Sequence, residues 1–372
     1  GDFFSKSEST SRNDTVGDVS YRIKMDLNQH FKQFANIFRR NLTLKFRNKT
    51  NLMITFLQAP ILALVVSFIL RLAPLTGSYS YYNNVNIGIF NFVSIIIFIF
   101  FGLSNSLEDI ASERRMLKRE KRLSMKVSYY TISKIVTLGL FTGVQVFLYL
   151  MISSIILQAH GTFFISFIFL LLSGASGFSF GLLISCYLND SKSIINILPL
   201  ILIPQIIFAG AIIEYEKMNR SITISKQNPI PEVVQLMPSR WLFEGLITGV
   251  VERNTYNRSL TKLADEGRDL VKQLHSGYLN NKMYKEKLYK NYDKKAFVAK
   301  KYPRERYTNR SLELSVRLMD GKFMNTESNV FLASYKKLFN LTFRTYNFNL
   351  IIIMLYIGIV NFLTLIKLKY YK

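Results

Sequence analysis

The sequence predicts an all-α membrane protein with six transmembrane helices, an N-terminal amphipathic connecting helix and a large helical external insertion between spans five and six. Three observations predict it. Of the 372 residues, 49% are hydrophobic, and the mean hydropathy is above zero despite a net charge of +24; a soluble domain does not combine these, whereas a membrane protein with basic loops does. The apolar residues gather in runs of about 20, the length that crosses a bilayer as a helix. Between two such runs, residues 107–126 read LEDIASERRMLKREKRLSMK, with Glu108, Glu113 and Glu120 set among a dense run of Lys and Arg. Each charge at a helix centre would cost about 2.5 to 3.5 kcal/mol on insertion, so this stretch lies at a membrane face and its flanks cross. Its excess of Lys and Arg makes that face cytoplasmic.

Taken in order, residues 1–20 are polar and read as a linker, the tail of a preceding domain. Residues 21–49 place Ile23, Leu27, Phe31, Phe34, Phe38 and Leu42 at helical spacing with Arg and Lys between them. That pattern is an amphipathic connecting helix, lying either in the membrane interface or against another domain. Residues 50–213 hold spans one to five. The first, 52–72, contains Pro60, whose freed carbonyl a neighbouring helix can satisfy. The second, 87–106, leads into the charged loop. The third, 129–157, carries Lys134 near its start, placed to snorkel to the interface. A tight uncharged turn joins it to the fourth, 162–188, and the fifth, 194–213, carries Pro199 and Pro204. Residues 214–346 combine a re-entrant stretch, SRWLFEGLITG, with the external insertion. There Leu260, Leu263, Leu270, Val271 and Leu274 make one helical stripe, and Phe331, Tyr335, Leu338, Phe339 and Thr342 make another that can run into span six. Residues 347–372 are the sixth span and a basic C-terminus. Both termini are then cytoplasmic; the long external segment is basic, which the charge rule tolerates in long loops.

The composition also excludes. Basic residues flank apolar runs, where they orient the chain and meet anionic headgroups, so nucleic acid is not a partner. One cysteine, Cys186, precludes an internal disulfide, and His30, His160 and His275 are far apart in sequence, so no metal site is expected. GxxxxGK[ST], HExxH and GxSxG are missing, so no catalytic centre is expected in this chain. Intramembrane carboxylates, which an ion-coupled carrier needs, are missing from the apolar runs. On the residues alone, Glu108, Asp109, Glu113 and Glu120 beside Arg114, Arg115, Lys118 and Arg119 are either a salt-bridged solvated helix or a loop with a specific role. The lysine- and tyrosine-rich part of the insertion is either a solvated helical face or a site for a phosphate-bearing ligand.

The order of these features resembles a known family. ExxxxERxxxxxE at the end of span two, followed by a basic helix and a tyrosine-rich start of span three, resembles the first intracellular loop of the G-subfamily (White and pleiotropic-drug-resistance type) ABC transporters. HFKQFANIFRRNLTLKFRNK is similar to their connecting helix, PLILIPQIIFAGAII to their fifth span and PSRWLFEGLITG to their re-entrant stretch. The resemblance covers most of the chain. It implies the ABC-2 type transmembrane part of an ATP-driven exporter moving an amphipathic or lipid-linked substrate by alternating access. It assigns Glu108, Glu113, Arg114, Arg115 and Glu120 to the coupling loop, Phe98, Phe101 and Phe208 to the substrate pathway, and Ala211 and Ile212 to the outer gate.

The resemblance further implies that ATP and Mg are bound by an associated ATPase domain and that a second transmembrane half completes the pathway. Membrane lipids and an envelope protein at the external insertion are the other expected partners. Unlike many family members, the external loop lacks cysteines; with the bias towards Ile, Lys, Asn, Phe and Tyr, this points to a bacterial member in the inner membrane. The rival reading is a non-transporting scaffold whose basic insertion recruits an envelope partner. A membrane enzyme acting on lipid or polysaccharide would need a carboxylate or metal site that no motif organises.

Overall fold

In the computed structural model the connecting helix, α1 (Leu27–Arg47), turns Ile37 and Asn41 inward against α5 and leaves Phe31, Leu44 and Phe46 exposed. The structure describes residues 27–72, 79, 81, 84–122, 125–159, 161–188, 191–213, 215–219, 221, 223, 230–253, 331–333, 335–338 and 341–370, and short pieces at 266, 269–270, 273, 283, 286–287, 289–291 and 293–294. The expected linker 1–20, most of the insertion and the stripe from Leu260 to Leu274, apart from single positions such as Leu270, lie outside them. The described pieces between 266 and 294 are helical.

α2 (Lys49–Leu70) starts at Asn48, whose side chain accepts from the Asn51 N–H at 3.2 Å. Its buried side chains are Thr55, Ala59, Ala63 and Ser67, a small-residue stripe that lets it approach α5 closely. The opposite face exposes Ile54, Leu57, Ile61, Leu64 and Phe68 to lipid. Pro60 has no N–H to offer the Phe56 carbonyl; beside it, Gln145 of α5 donates to the Thr55 carbonyl at 2.8 Å.

α3 (Ile87–Ser106) and α6 (Phe163–Tyr187) form the centre of the bundle, and glycines let them touch backbone to backbone. A Cβ on Gly102 would collide with the Gly174 carbonyl, one on Gly177 with the Ile99 carbonyl, and one on Gly181 with Ser106. Gly177→Leu is therefore expected to remove most of the folded protein, beyond the about 1 to 3 kcal/mol of ordinary overpacking. Gly139, which faces open space on α5, is the control: Gly139→Ala is expected to keep the monodisperse yield and gain up to about 1 kcal/mol of helix propensity. Monodisperse protein recovered per cell, compared between the two variants, checks this.

α4 (Asp109–Arg122) lies between α3 and α5 (Val127–Leu157). α5 ends at Gln158 in the left-handed region, φ 51°. Among the described residues, five helices are long and apolar enough to cross a membrane: α2, the α3 run, α5, α6 and α9 (Thr345–Lys369).

Two sequence expectations differ from the structure. α7 (Ser191–Ile207), where the fifth span is expected, is a helix of 17 residues. It is roughly 26 Å long, against about 30 Å of hydrocarbon. The chain leaves the helix after Ile207 and turns through Gly210 at φ +76°. The second difference is the stripe leading into span six, which is not helical. It forms an antiparallel hairpin, β1 (Tyr335–Leu338) paired with β2 (Leu341–Arg344), in register Tyr335 to Arg344 and Leu338 to Leu341. The apolar spacing is helical, but Lys336, between those apolar positions, is buried and pairs with Glu244 in the hairpin.

The stretch expected to be re-entrant is α8 (Pro238–Arg253), buried against α9, α6, α3 and α7. Gln205 of α7 holds its start, accepting from the Ser239 N–H at 3.1 Å through its side chain and from the Ser239 hydroxyl at 2.7 Å through its carbonyl.

Candidate functional site

α4 is short and strongly charged, yet it is tied on every buried side. Ile110 and Leu117, seven apart, put one face into the bundle. Asp109 in its first turn and Arg119, Lys121 and Arg122 in its last complement the helix dipole. The Ser185 hydroxyl of α6 accepts from the Ile110 and Ala111 N–H groups at 3.1 and 2.9 Å, filling the role of an N-cap from another helix. Arg114 reaches back to the end of α6, donating to the Ser185 carbonyl at 2.9 Å and the Leu188 carbonyl at 2.5 Å. Lys121 donates to the Lys369 carbonyl at 2.7 Å, at the end of α9.

The acidic residues make the remaining ties. Glu113 Oε1 lies 2.7 Å from Lys134 Nζ, and its Oε2 accepts from the Tyr130 hydroxyl at 2.9 Å, both on α5. Lys134 is 4% exposed; instead of snorkelling to the interface it is neutralised in place. Glu120 pairs with Arg40 of α1. Asp109 Oδ1 lies 2.7 Å from Lys45 of α1, which also donates to the Asn105 carbonyl at 3.2 Å. The other side of α4 exposes Glu108, Ser112, Arg115, Lys118, Arg119 and Arg122, a predominantly basic surface.

Of the five residues expected in the loop, the structure turns Glu113, Arg114 and Glu120 into these ties and leaves Glu108 and Arg115 on the surface. Sequence reasoning missed the partners Arg40, Lys45, Ser185 and Lys121. A lone Lys134 in an apolar run, 21 positions after a glutamate, is the only local sign of the central pair.

The expected pathway residues are placed differently. Phe98 and Phe101 are 0% and 1% exposed. Phe98 meets Phe101 at 5.6 Å and Tyr149 at 5.2 Å, both edge to face, and the Tyr149 hydroxyl hydrogen-bonds Ser94 at 2.8 Å. In this conformation neither phenylalanine reaches a surface that a second half could share. Phe100, about 100° round the helix from Phe101, is the one exposed, at 37%. Phe208 packs in a separate small cluster with Tyr215 and Ile230; beyond it Ala211 is half-buried and Ile212 exposed.

Residues 32–249 match the family described as ABC-2 type transporter, more than half of the chain and all the elements from α1 into α8. The chain belongs to the ABC-2 type transporter family. It is a multi-pass membrane protein and a transmembrane component of an ABC transporter, of a kind that pairs with an ABC ATPase and another membrane half. No curated protein matches the sequence. Among the described residues there is no group of three or more His, Cys, Asp and Glu side chains that could hold a metal ion.

The match to the ABC-2 family ends inside α8, close to a second charged group that sequence reasoning did not single out. Glu244 is fully buried. Its Oε1 lies 2.8 Å from Lys336 Nζ of β1 and accepts from the Leu332 N–H at 2.9 Å. Its Oε2 accepts from Asn349 of α9 at 3.1 Å and lies 3.6 Å from Arg240. Arg240 stacks over Trp241 at 3.8 Å from the ring centroid. One carboxylate thus joins α8, the hairpin segment and α9. The i,i+4 spacing of Arg240 and Glu244 in an otherwise apolar stretch is the signal that could have found it.

Proposed function

We propose that this chain is the membrane half of an ATP-driven exporter of the G-subfamily type, moving an amphipathic or lipid-linked substrate by alternating access. The observation that carries the reading is the set of ties on α4. A force applied to this one short helix reaches α1, α5, the end of α6 and the end of α9 through charged hydrogen bonds. Its basic outer face, with Arg115, Arg119 and Arg122, is the surface offered to the ATPase. ATP and Mg are bound there by the ATPase partner, which supplies phosphoryl chemistry; this chain's sequence has no phosphate-binding loop.

A second half, identical or not, closes the pathway. The surface suited to it combines the exposed residues of α3, Ile89 and Phe100, with those of α7, Leu200, Ile203 and Ile207, because these two helices touch each other and keep an apolar face uncovered. In this reading Phe100 takes the pathway position, α7 is a shortened fifth span completed by 208–213, and Ile212 stands at the outer end. The lack of cysteines in the external segment and the residue bias favour a bacterial inner membrane, with Lys- and Tyr-rich sequence facing an envelope partner.

Charge reversal tests the docking face. Arg115→Glu with Arg119→Glu changes two exposed residues, so the membrane half is expected to fold while the ATPase recovered with it falls about tenfold. Unchanged recovery in folded protein would remove this surface from the account.

A further inference from the structure

α7 stops short of a full crossing. Wound on as a helix through 208–213 it would gain about 9 Å and span the hydrocarbon. Nothing in Ala209, Ala211, Ile212 or Ile213 forbids that, and the Ile212 N–H would then take the Phe208 carbonyl, four positions back. In the structure that carbonyl is already taken, because the Tyr215 hydroxyl donates to it at 3.1 Å. The Tyr215 ring lies over Gly210, where φ is +76° and where a Cβ would stand 2.6 Å from the ring's Cζ and hydroxyl oxygen. One side chain, 8% exposed, thus caps the end of the helix and fills the bend that follows it.

Tyr215 is itself held from outside α7. Phe331 meets its ring edge to face at 4.8 Å. The next residue, Leu332, sits at φ 62°, a left-handed backbone that is strained for a leucine, with its N–H held by Glu244 at 2.9 Å. Phe331 also packs on Phe243 of α8, which meets Phe92 of α3 edge to face. The position of Tyr215 is therefore set by α8 and by the segment ahead of the hairpin.

We infer that the outer end of α7 has two states, the observed bend and a helix wound on through 208–213, and that Tyr215 is the positioning residue that selects the bend. A shift of Phe331 that frees Tyr215 releases the Phe208 carbonyl to the Ile212 N–H, and α7 lengthens past Ala211 and Ile212. The use of this switch as an outer gate rests on the exporter reading; the two states do not.

The test is amide hydrogen exchange at 210–213, read by mass spectrometry on the whole chain in lipid nanodiscs, with no ATPase present. Gly210→Ala removes the residue that tolerates the bend and pushes the ring aside, favouring the helix by about 100-fold. Exchange at 210–213 is then expected to slow at least about tenfold. Tyr215→Phe loses only the hydroxyl, so it is expected to fold and to slow the same amides about threefold. The sign of the change separates winding from mere loosening, which speeds exchange. Unchanged or faster exchange at 210–213 in Tyr215→Phe overturns the inference, whether or not Gly210→Ala folds. That result leaves the exporter reading standing, since neither ATPase nor substrate takes part. Slowed exchange in a chain that binds no ATPase keeps the two states and removes only their use as a gate.

Discussion

Glu244→Gln is expected to destabilise the protein by about 3 to 5 kcal/mol, the cost of leaving buried cations without their counter-charge. Glu244 is 0% exposed, and Lys336 and Arg240 are 3% and 2% exposed. Burial alone would raise the Glu244 pKa, but the charges of Lys336 and Arg240 outweigh it and hold the carboxyl below its ordinary value of 4.5. A carboxylate held down in the folded state contributes stability that is complete above the unfolded pKa and is lost as pH falls through the folded one. The wild type is therefore expected to hold its melting temperature from neutral pH down to about 5, and to lose this contribution below the ordinary carboxylate range. Glu244→Gln is expected to be low throughout and to lack that acid-dependent part. Adding Lys336→Met to Glu244→Gln removes one orphaned cation and is expected to recover part of the loss. Melting curves in detergent, recorded for the three proteins across pH, check all of this. A single variant as stable as wild type would show that the three segments are joined by apolar packing alone.

The second large effect is expected at Glu113. Glu113→Gln leaves Lys134 nearly buried with only a neutral partner, which weakens the tie between α4 and α5 while leaving the Arg40, Lys45 and Lys121 ties in place. The bundle should fold, since α3 and α6 hold its centre independently of α4. What is lost is transmission: the response of the ATPase to the membrane half is expected to fall at least about tenfold, about 1.4 kcal/mol in the rate. The exchange Glu113→Lys with Lys134→Glu rebuilds the pair in reverse and is expected to restore part of the response. A merely destabilising role would instead lower the melting temperature and the response together.

Much of the architecture was legible because the membrane-spanning runs are long and their ends charged. The residues from Ile87 to Ser106 could be bounded from sequence, and the structure gives the same bounds. What failed, failed for local physical reasons. In IFNFVSIIIFIFF nearly every residue is apolar, so the helix has no phase in the sequence; glycine contacts with α6 set the rotation that buries Phe101 and exposes Phe100. α7 runs through both of its prolines and ends at Ile207, ahead of the turn at Gly210, in a run that composition alone reads as a full span. The hairpin before α9 was hidden because the apolar spacing there is that of a helix, and the buried Lys336 that pairs with Glu244 carries no apolar signal. The lysine partners of Glu113 and Glu244 lie 21 and 92 positions away, and a lone Lys134 in an apolar run and the i,i+4 spacing of Arg240 and Glu244 are the only local signs of pairs that tertiary packing closes.

The proposed coupling of an ATPase to the membrane bundle through α4 is read from ATP hydrolysis of the complex in a lipid bilayer, compared for wild type, Glu113→Gln and the ATPase without its membrane half. The wild-type membrane half is expected to alter the rate, and Glu113→Gln, folded and still bound, to return it towards that of the ATPase alone. If no ATPase associates with the chain, or hydrolysis is the same with Glu113→Gln in well-folded protein, coupling through α4 is wrong and a membrane scaffold becomes the better reading.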